Sequence, residues 1–245
     1  MSLSQHRRPV WYIEVPLLVV GFVVFGLIRD WVDRGDPAAT NTALAIQRLE
    51  QTLGIAVEYP LNHALVGQPV AIYLSGYFYR LCVLAVPAVL VWLYLSRSER
   101  YNQLRTVLVV AMVFDLALVW LFPESPPRFA QEGIVDHMAV HDILGGATAG
   151  RPHEGAKLSA AMPSMHIAWT TWCAYAAWSV LRRGRWLVWL FPLLVALIVL
   201  VTGHHYVLDI VAGVALVAVS IGLTKLLWPA NQVRRPEHAV GQEWE

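Results

Sequence analysis

Two histidines and an aspartate stand at spacings that acid–base and nucleophilic chemistry can use. His205 and Asp209 lie four residues apart in Gly203-His204-His205-Tyr206-Val207-Leu208-Asp209. On a helix that spacing puts both side chains on one face, where the carboxylate accepts a hydrogen bond from one ring nitrogen. The other nitrogen is then left free to attack, as in an oriented base or nucleophile. Pro163-Ser164-Met165-His166 reads as a helix start. Ser164 takes the N-cap position there, and the free N–H groups and positive end of the helix dipole favour a bound phosphate. His166, in the first turn, is placed to protonate a leaving oxygen. Arg128, in Pro126-Pro127-Arg128, brings a forked, permanent positive charge suited to phosphate oxygens. A nucleophile, its orienter, an acid and an anion clamp are the parts of a phosphoryl-transfer site, and they call for no metal and no cofactor.

The elements that must position these residues are membrane helices. The chain of 245 residues is 57% hydrophobic and 14% charged, which leaves too little polar surface for a water-soluble domain. Six apolar runs reach spanning length: Val10–Ile28, Val70–Leu95, Leu104–Phe122, Ala160–Leu181, Trp186–Thr202 and Tyr206–Trp228. The first is followed by Arg29-Asp30-Trp31, not by a small-residue cleavage site, so it reads as a retained helix. The expected fold is all-α and polytopic: a single six-helix domain over 10–228, with polar tails at 1–9 and 229–245. Asn41–Gly54 carries Ala45, Leu49 and Leu53 at helical spacing beside Gln47, Arg48, Glu50 and Gln51. It predicts an amphipathic helix lying in the outer interface. The net charge of +1 removes any basic signature for nucleic acid. Cys82 and Cys173 sit far apart within apolar runs, which argues against both a disulfide framework and a cysteine metal site.

An even number of spans puts both termini on one side, and the positive-inside rule chooses which. Arg7, Arg8, Arg97, Arg100, Arg105, Arg182, Arg183, Arg185, Lys225, Arg234 and Arg235 fall on one side, in short loops and tails. Arg29, Arg34, Arg48, Arg128, Arg151 and Lys157 fall on the other, interleaved with acids. The tails are therefore expected in the cytoplasm. The stretches holding Arg128, His166 and His205 are expected together at the extracytoplasmic ends of their helices. Hydropathy and Arg/Lys counting alone bring them to one face.

Other polar residues have plainer readings. On a helix His204 would point about 100° away from His205, which suits a structural or interfacial residue. His137 and His141, flanked by Asp136 and Asp142, have the spacing of a metal pair but no third ligand fixed nearby, and read as a solvated loop. Arg80 and Asp115 would lie at similar depth within spans and are expected to form a structural ion pair; Glu14 is a third intramembrane charge. Two other functional classes share some of these features. A metal-dependent membrane hydrolase would need more ligands than the chain offers. A transporter would place its polar residues near the midplane, with internal repeats.

The pairing of Pro163-Ser164-Met165-His166 with His204-His205-Tyr206-Val207-Leu208-Asp209 resembles the type-2 phosphatidic acid phosphatase superfamily. Pro126-Pro127-Arg128, Thr202–Tyr206 and the segment Ala45–Glu58 are similar to its inositol phosphorylceramide synthase branch, an inositolphosphotransferase-type domain. The resemblance covers most of the chain. It implies that His205 attacks phosphorus and forms a phosphohistidine, that Asp209 orients it, and that His166 protonates the leaving alkoxide and then activates the acceptor. It implies a lipid phosphate substrate, a water or alcohol acceptor, and the bilayer as the enzyme's setting. Two cations of the superfamily pattern are absent. Its Ser-Arg pair ahead of the nucleophile falls on Ile198 and Val199, and its lysine falls at Leu121 or Phe122. Phosphate binding is therefore expected to rest on Arg128, helix N–H groups near Ser164, and Arg151 or Lys157.

Overall fold

The computed structural model describes residues 9–33, 38–96, 99–143 and 159–227. The expected tails lie almost wholly outside the described residues, as do Arg151 and Lys157. The described residues form eleven α-helices, two short 3-10 turns and one isolated parallel bridge, between Glu124 and Ala160. In chain order the helices are α1 (Trp11–Val32), α2 (Ala38–Leu53), α3 (Glu58–His63), α4 (Pro69–Leu81), α5 (Ala85–Leu95), α6 (Tyr101–Leu121), α7 (Pro127–Ala130), α8 (His137–Val140), α9 (Met165–Val180), α10 (Leu190–Val201) and α11 (Val207–Leu227).

Four helical stretches are long and apolar enough to cross a membrane: α1, Pro69–Leu95, α6 and α11. The two other expected spans are shorter: α9 has 16 residues, and Arg185–Val201 is a short apolar helix led by a 3-10 turn. The fourth run loses length because Ala160 pairs with Glu124 and Ser164 caps α9. Both 3-10 turns have a proline just beyond them. Pro87 and Pro192 lack an N–H and crowd the carbonyls four residues back, at Val83 and Val188, which lie inside Cys82–Leu84 and Arg185–Trp189.

α9 is the hub, packing against α5, α6, α10 and α11. Its Trp172 is wholly buried and donates its indole N–H to the Leu104 carbonyl of α6 at 2.9 Å. The main apolar cluster joins Leu90 and Leu93 of α5, Leu104 and Leu108 of α6, Ala168 and Trp172 of α9, and Leu216 of α11. α1 lies outside this core. Val19, Val20, Val23 and Leu27 are each more than half exposed, a surface suited to lipid rather than water. Two ion pairs strap it to α6: Glu14 with Arg105 at 2.6 Å and Arg29 with Asp115 at 3.0 Å. The expected Arg80–Asp115 pair is thus corrected. Hydropathy gives depth but not which helices are neighbours, and α1, not α4, lies beside α6.

The amphipathic helix forms as α2. Ala45, Leu49 and Leu53 are exposed, while Ala39, Ala43 and Glu50 are buried. Glu50 reaches the start of α11 and accepts the Leu208 N–H at 2.7 Å; Glu58 of α3 accepts the Val207 N–H at 3.1 Å. These acids satisfy amides that a helix start leaves open, at the positive end of its dipole.

Burial, then the hydrogen bond to Glu58, push the Glu50 carboxyl up from 4.5 to about 8. The folded chain therefore keeps a proton that the unfolded chain releases near pH 4.5. The stabilisation from this group is complete below that pH and is lost as pH rises through about 8. The melting temperature of the detergent-solubilised protein should fall from pH 4.5 to about 8, and Glu50→Gln should make that fall shallower. An unchanged slope in the variant would mean that Glu50 ionises normally.

Candidate active site

A cavity of about 250 Å³ lies among the end of α1, α4, the segment after α6, the start of α9 and the link from α10 to α11. Arg29 and Asp33 come from the end of α1, Tyr79 from α4, and Pro126 and Arg128 from the segment after α6. Ala160, Ala161, Met165, His166 and Trp169 come from the approach to α9 and its first turns, and His204 and His205 from the link between α10 and α11.

His205 Nδ1 lies 3.2 Å from Asp209 Oδ2, with both side chains buried. The contact expected from the four-residue spacing is present, but its geometry is different. α11 begins at Val207, so His205 precedes the helix instead of sharing a face with Asp209. Asp209 reaches back over the helix start, and the same Oδ2 accepts the Tyr206 N–H at 2.9 Å. The carboxylate is thus cap and orienter together. With Nδ1 engaged, Nε2 is the free nitrogen of a residue that lines the cavity.

His166 faces this group, its ring centroid 6.3 Å from that of His205. It stacks on Tyr79 at 4.1 Å, which fixes the ring plane. Ser164 is the N-cap of α9, as expected: its hydroxyl accepts the Ile167 N–H and its own N–H donates to the Asp209 carbonyl. That hydroxyl is spent on capping, and Ser164 does not line the cavity. What it contributes is position, since it ties the start of α9 to the start of α11.

Arg128 lines the cavity, with its Nε 3.3 Å from Asp136 and its guanidinium over the Phe129 ring. Burial lowers its pKa, while Tyr79 and Asp136 oppose the shift. Its N–H donates to the Gly203 carbonyl, which joins Pro126-Pro127-Arg128 to the histidine turn. Gly203 has φ +68°, and a Cβ there would stand 2.6 Å from Ile134, so the turn admits only glycine. Asn62, fully buried, clamps the same region: it donates to the Val135 and Val201 carbonyls and accepts the Val135 N–H.

His204 is part of the cavity wall, and it too precedes the helix, so the helical-angle argument does not apply to it. Thr202 gives its only hydroxyl proton to the Ile198 carbonyl at 2.7 Å, so His204 Nδ1, 2.9 Å from Thr202 Oγ1, must be the donor. Burial holds the His204 pKa well below its ordinary value, so the ring is neutral. His137 turns inward to the Asn62 carbonyl at 3.0 Å, not into a solvated loop, and His141 meets Tyr73 edge-on. Among the described residues no group of three or more His, Cys, Asp or Glu is placed to hold a metal.

Sequence reasoning missed Arg29 as a site residue, because it reads as a flanking charge beyond the first span. Its Nε is held by Asp115 and its Nη2 by the Ala160 carbonyl at 3.0 Å, which presents the guanidinium at the cavity. Glu50 and Glu58 were missed as caps of α11. The only signal for them was their place in and just after the amphipathic segment Asn41–Gly54.

A family model described as the PAP2 superfamily matches residues 44–223. No curated protein and no solved structure matches the chain.

The close approach of α9 and α11 generates a direct test. A Cβ on Gly213, one turn beyond Asp209, would lie 2.6 Å from the Ser164 carbonyl oxygen, which is backbone and cannot step aside. Gly213→Ala should cost about 1–3 kcal/mol by overpacking. It should also reduce turnover at least about tenfold by parting His166 from His205. Gly222, on the same helix with nothing within 4 Å, is the control. Gly222→Ala should be neutral or stabilise by about 0.5–1 kcal/mol. Equal melting temperatures and activities for the two variants would show that the helices can slide apart without cost.

Proposed function

The chain belongs to the PAP2 superfamily, and on that premise we propose that it is a membrane lipid-phosphate phosphohydrolase or head-group phosphotransferase, of inositolphosphotransferase type, working through a phosphohistidine at the extracytoplasmic face. One observation carries this reading. A histidine oriented by a buried carboxylate faces a second histidine across a cavity whose wall holds two guanidinium groups.

His205 Nε2 attacks phosphorus as the bond from phosphorus to the leaving alkoxide breaks. Asp209 keeps the Nδ1–H and stabilises the positive charge that grows on the ring. His166 gives its proton to the departing oxygen. It then takes one from the incoming water or alcohol, whose oxygen displaces His205 from phosphorus and restores the free imidazole. Arg128 and Arg29 hold the equatorial oxygens, whose charge must be met as the transition state forms. The N–H groups that a helix start leaves open, at Met165 and His166 of α9, add to this anion site. Arg29 precedes the segment matched by the family model. We assign it the place of the superfamily cations that are missing at Ile198–Val199 and Leu121–Phe122.

A lipid-phosphate panel, with and without inositol or another alcohol, followed by lipid mass analysis, separates hydrolysis from transfer. His205→Ala should be inactive, and brief incubation of the wild type with labelled substrate should trap acid-labile, base-stable label on His205. Asp209→Asn should lose on the order of 10²–10⁴ in turnover. Substantial turnover by His205→Ala would end the proposal.

The clamp has its own test. Arg128→Ala should lose about a hundredfold or more, and Arg128→Lys at least about tenfold, since an ammonium cannot make the paired hydrogen bonds. Arg29→Ala should lose on the same scale as Arg128→Ala. Asp115→Asn, which still accepts from the Arg29 Nε, should lose less. If Arg29→Ala matches wild type, Arg29 serves only to strap α1 to α6, and the clamp belongs to Arg128 with the loop that carries Arg151 and Lys157.

A further inference from the structure

Beside Asp209 stands a residue that the mechanism above does not use. Glu124 is fully buried. Its backbone is locked on both sides: its N–H donates to the Ser159 carbonyl at 2.9 Å and its carbonyl accepts the Ala161 N–H at 3.0 Å. Its carboxyl group lies within hydrogen-bonding reach of the Asp209 carboxyl group. No N–H or hydroxyl donor among the described residues reaches either Glu124 oxygen, or Asp209 Oδ1.

Two buried carboxyl groups in contact, with no donor for the facing oxygens, cannot both carry charge. One proton between them satisfies both. The donors on the far side decide where it sits. Asp209 Oδ2 receives the His205 ring and the Tyr206 N–H, which favour its anion, whereas Glu124 receives nothing. Burial, and then the Asp209 charge, push the Glu124 carboxyl up to about 11. Glu50 of α2 acts on Glu124 in the same direction, and the charges of both carboxyls act on the Tyr206 phenol.

We propose that Glu124 is a positioning residue that remains a neutral acid and donates its proton to Asp209 Oδ1, setting how strongly Asp209 holds His205. The proposal rests on the reading of His205 as nucleophile. A carboxylate that accepts a hydrogen bond from a neutral acid is a weaker acceptor toward its other partners. Glu124 therefore keeps Asp209 anionic and in place while tempering its pull on the His205 Nδ1–H. Loss of that donor should leave a bare, more strongly accepting Asp209 and a more basic His205. The imidazole would then be protonated, and unable to attack, up to a higher pH.

The test compares Glu124→Gln, which keeps an N–H donor, with Glu124→Leu, which has none. Infrared difference spectra of the full chain in detergent at neutral pH come first. Wild type minus Glu124→Gln should show the carbonyl stretch of a protonated carboxyl group, with no carboxylate band. In lipid-phosphate turnover, Glu124→Gln should stay within about threefold of wild type with an unmoved pH profile. Glu124→Leu should lose about tenfold or more, with the acid limb of kcat/KM displaced upward. A carboxylate band lost in Glu124→Gln, or a Gln variant whose acid limb moves downward, would show an ionised Glu124 and overturn the proposal. The infrared result needs no turnover, so it stands or falls separately from the phosphohistidine reading. It also decides the question if Glu124→Leu fails to fold.

Discussion

Asp209 is a carboxylate with no exposed surface, and it sits where three elements meet. It accepts from the His205 ring and from the Tyr206 N–H, and its own carbonyl accepts the Ser164 N–H that leads into α9. A buried anion is tolerated only where donors surround it, because its lost hydration must be replaced in place. The start of α11 supplies that environment: open amides, the positive end of a helix dipole and an imidazole N–H. Moving Asp209 would uncap the helix, free the His205 ring and detach the start of α9 together.

The same helix start gathers more acid than it has amides. Glu58 takes the Val207 N–H, Glu50 takes the Leu208 N–H, and Glu124 stands against Asp209. Four ionised carboxylates in so small a volume would repel one another strongly. The raised pKa values of Glu50 and Glu124 lessen that repulsion: burial, with the neighbouring acids, makes both carboxyls hold their protons more tightly. Through Glu50 and Glu58, α2 and α3, which lie outside the main core, are held against the start of α11.

α1 is attached by different means. Most of its surface is apolar and exposed, and in a bilayer such a surface gains nothing by packing on protein instead of lipid. Its two ion pairs to α6 supply the specificity that apolar contact cannot. One of them, Arg29–Asp115, lies at the edge of the cavity, so the contact that registers α1 also aims a guanidinium at the site. Outside the apolar core, structural and chemical roles fall on the same few charged residues.

Within the sequence, hydropathy places the helices along the chain and Pro163-Ser164 marks where α9 begins. The spacing of His205 and Asp209 already implies their contact. Those signals are local: they depend on residues within a few positions of one another, and the covalent geometry of the chain relates them. Which helix adjoins which is not local. Arg29 and Asp115 are 86 residues apart, Glu58 and Val207 149, Glu50 and Leu208 158. Before folding, none of these acids or cations differs in type or neighbourhood from an ordinary loop charge, and Asp115 could as well have met Arg80. The helix boundary at Val207 was likewise set from outside, by carboxyl groups arriving from α2 and α3 to take its first amides. The contact between His205 and Asp209 could be read from the chain because the two are sequence neighbours. The residues that hold them there took on meaning only when packing excluded water and left each buried charge to find its partner.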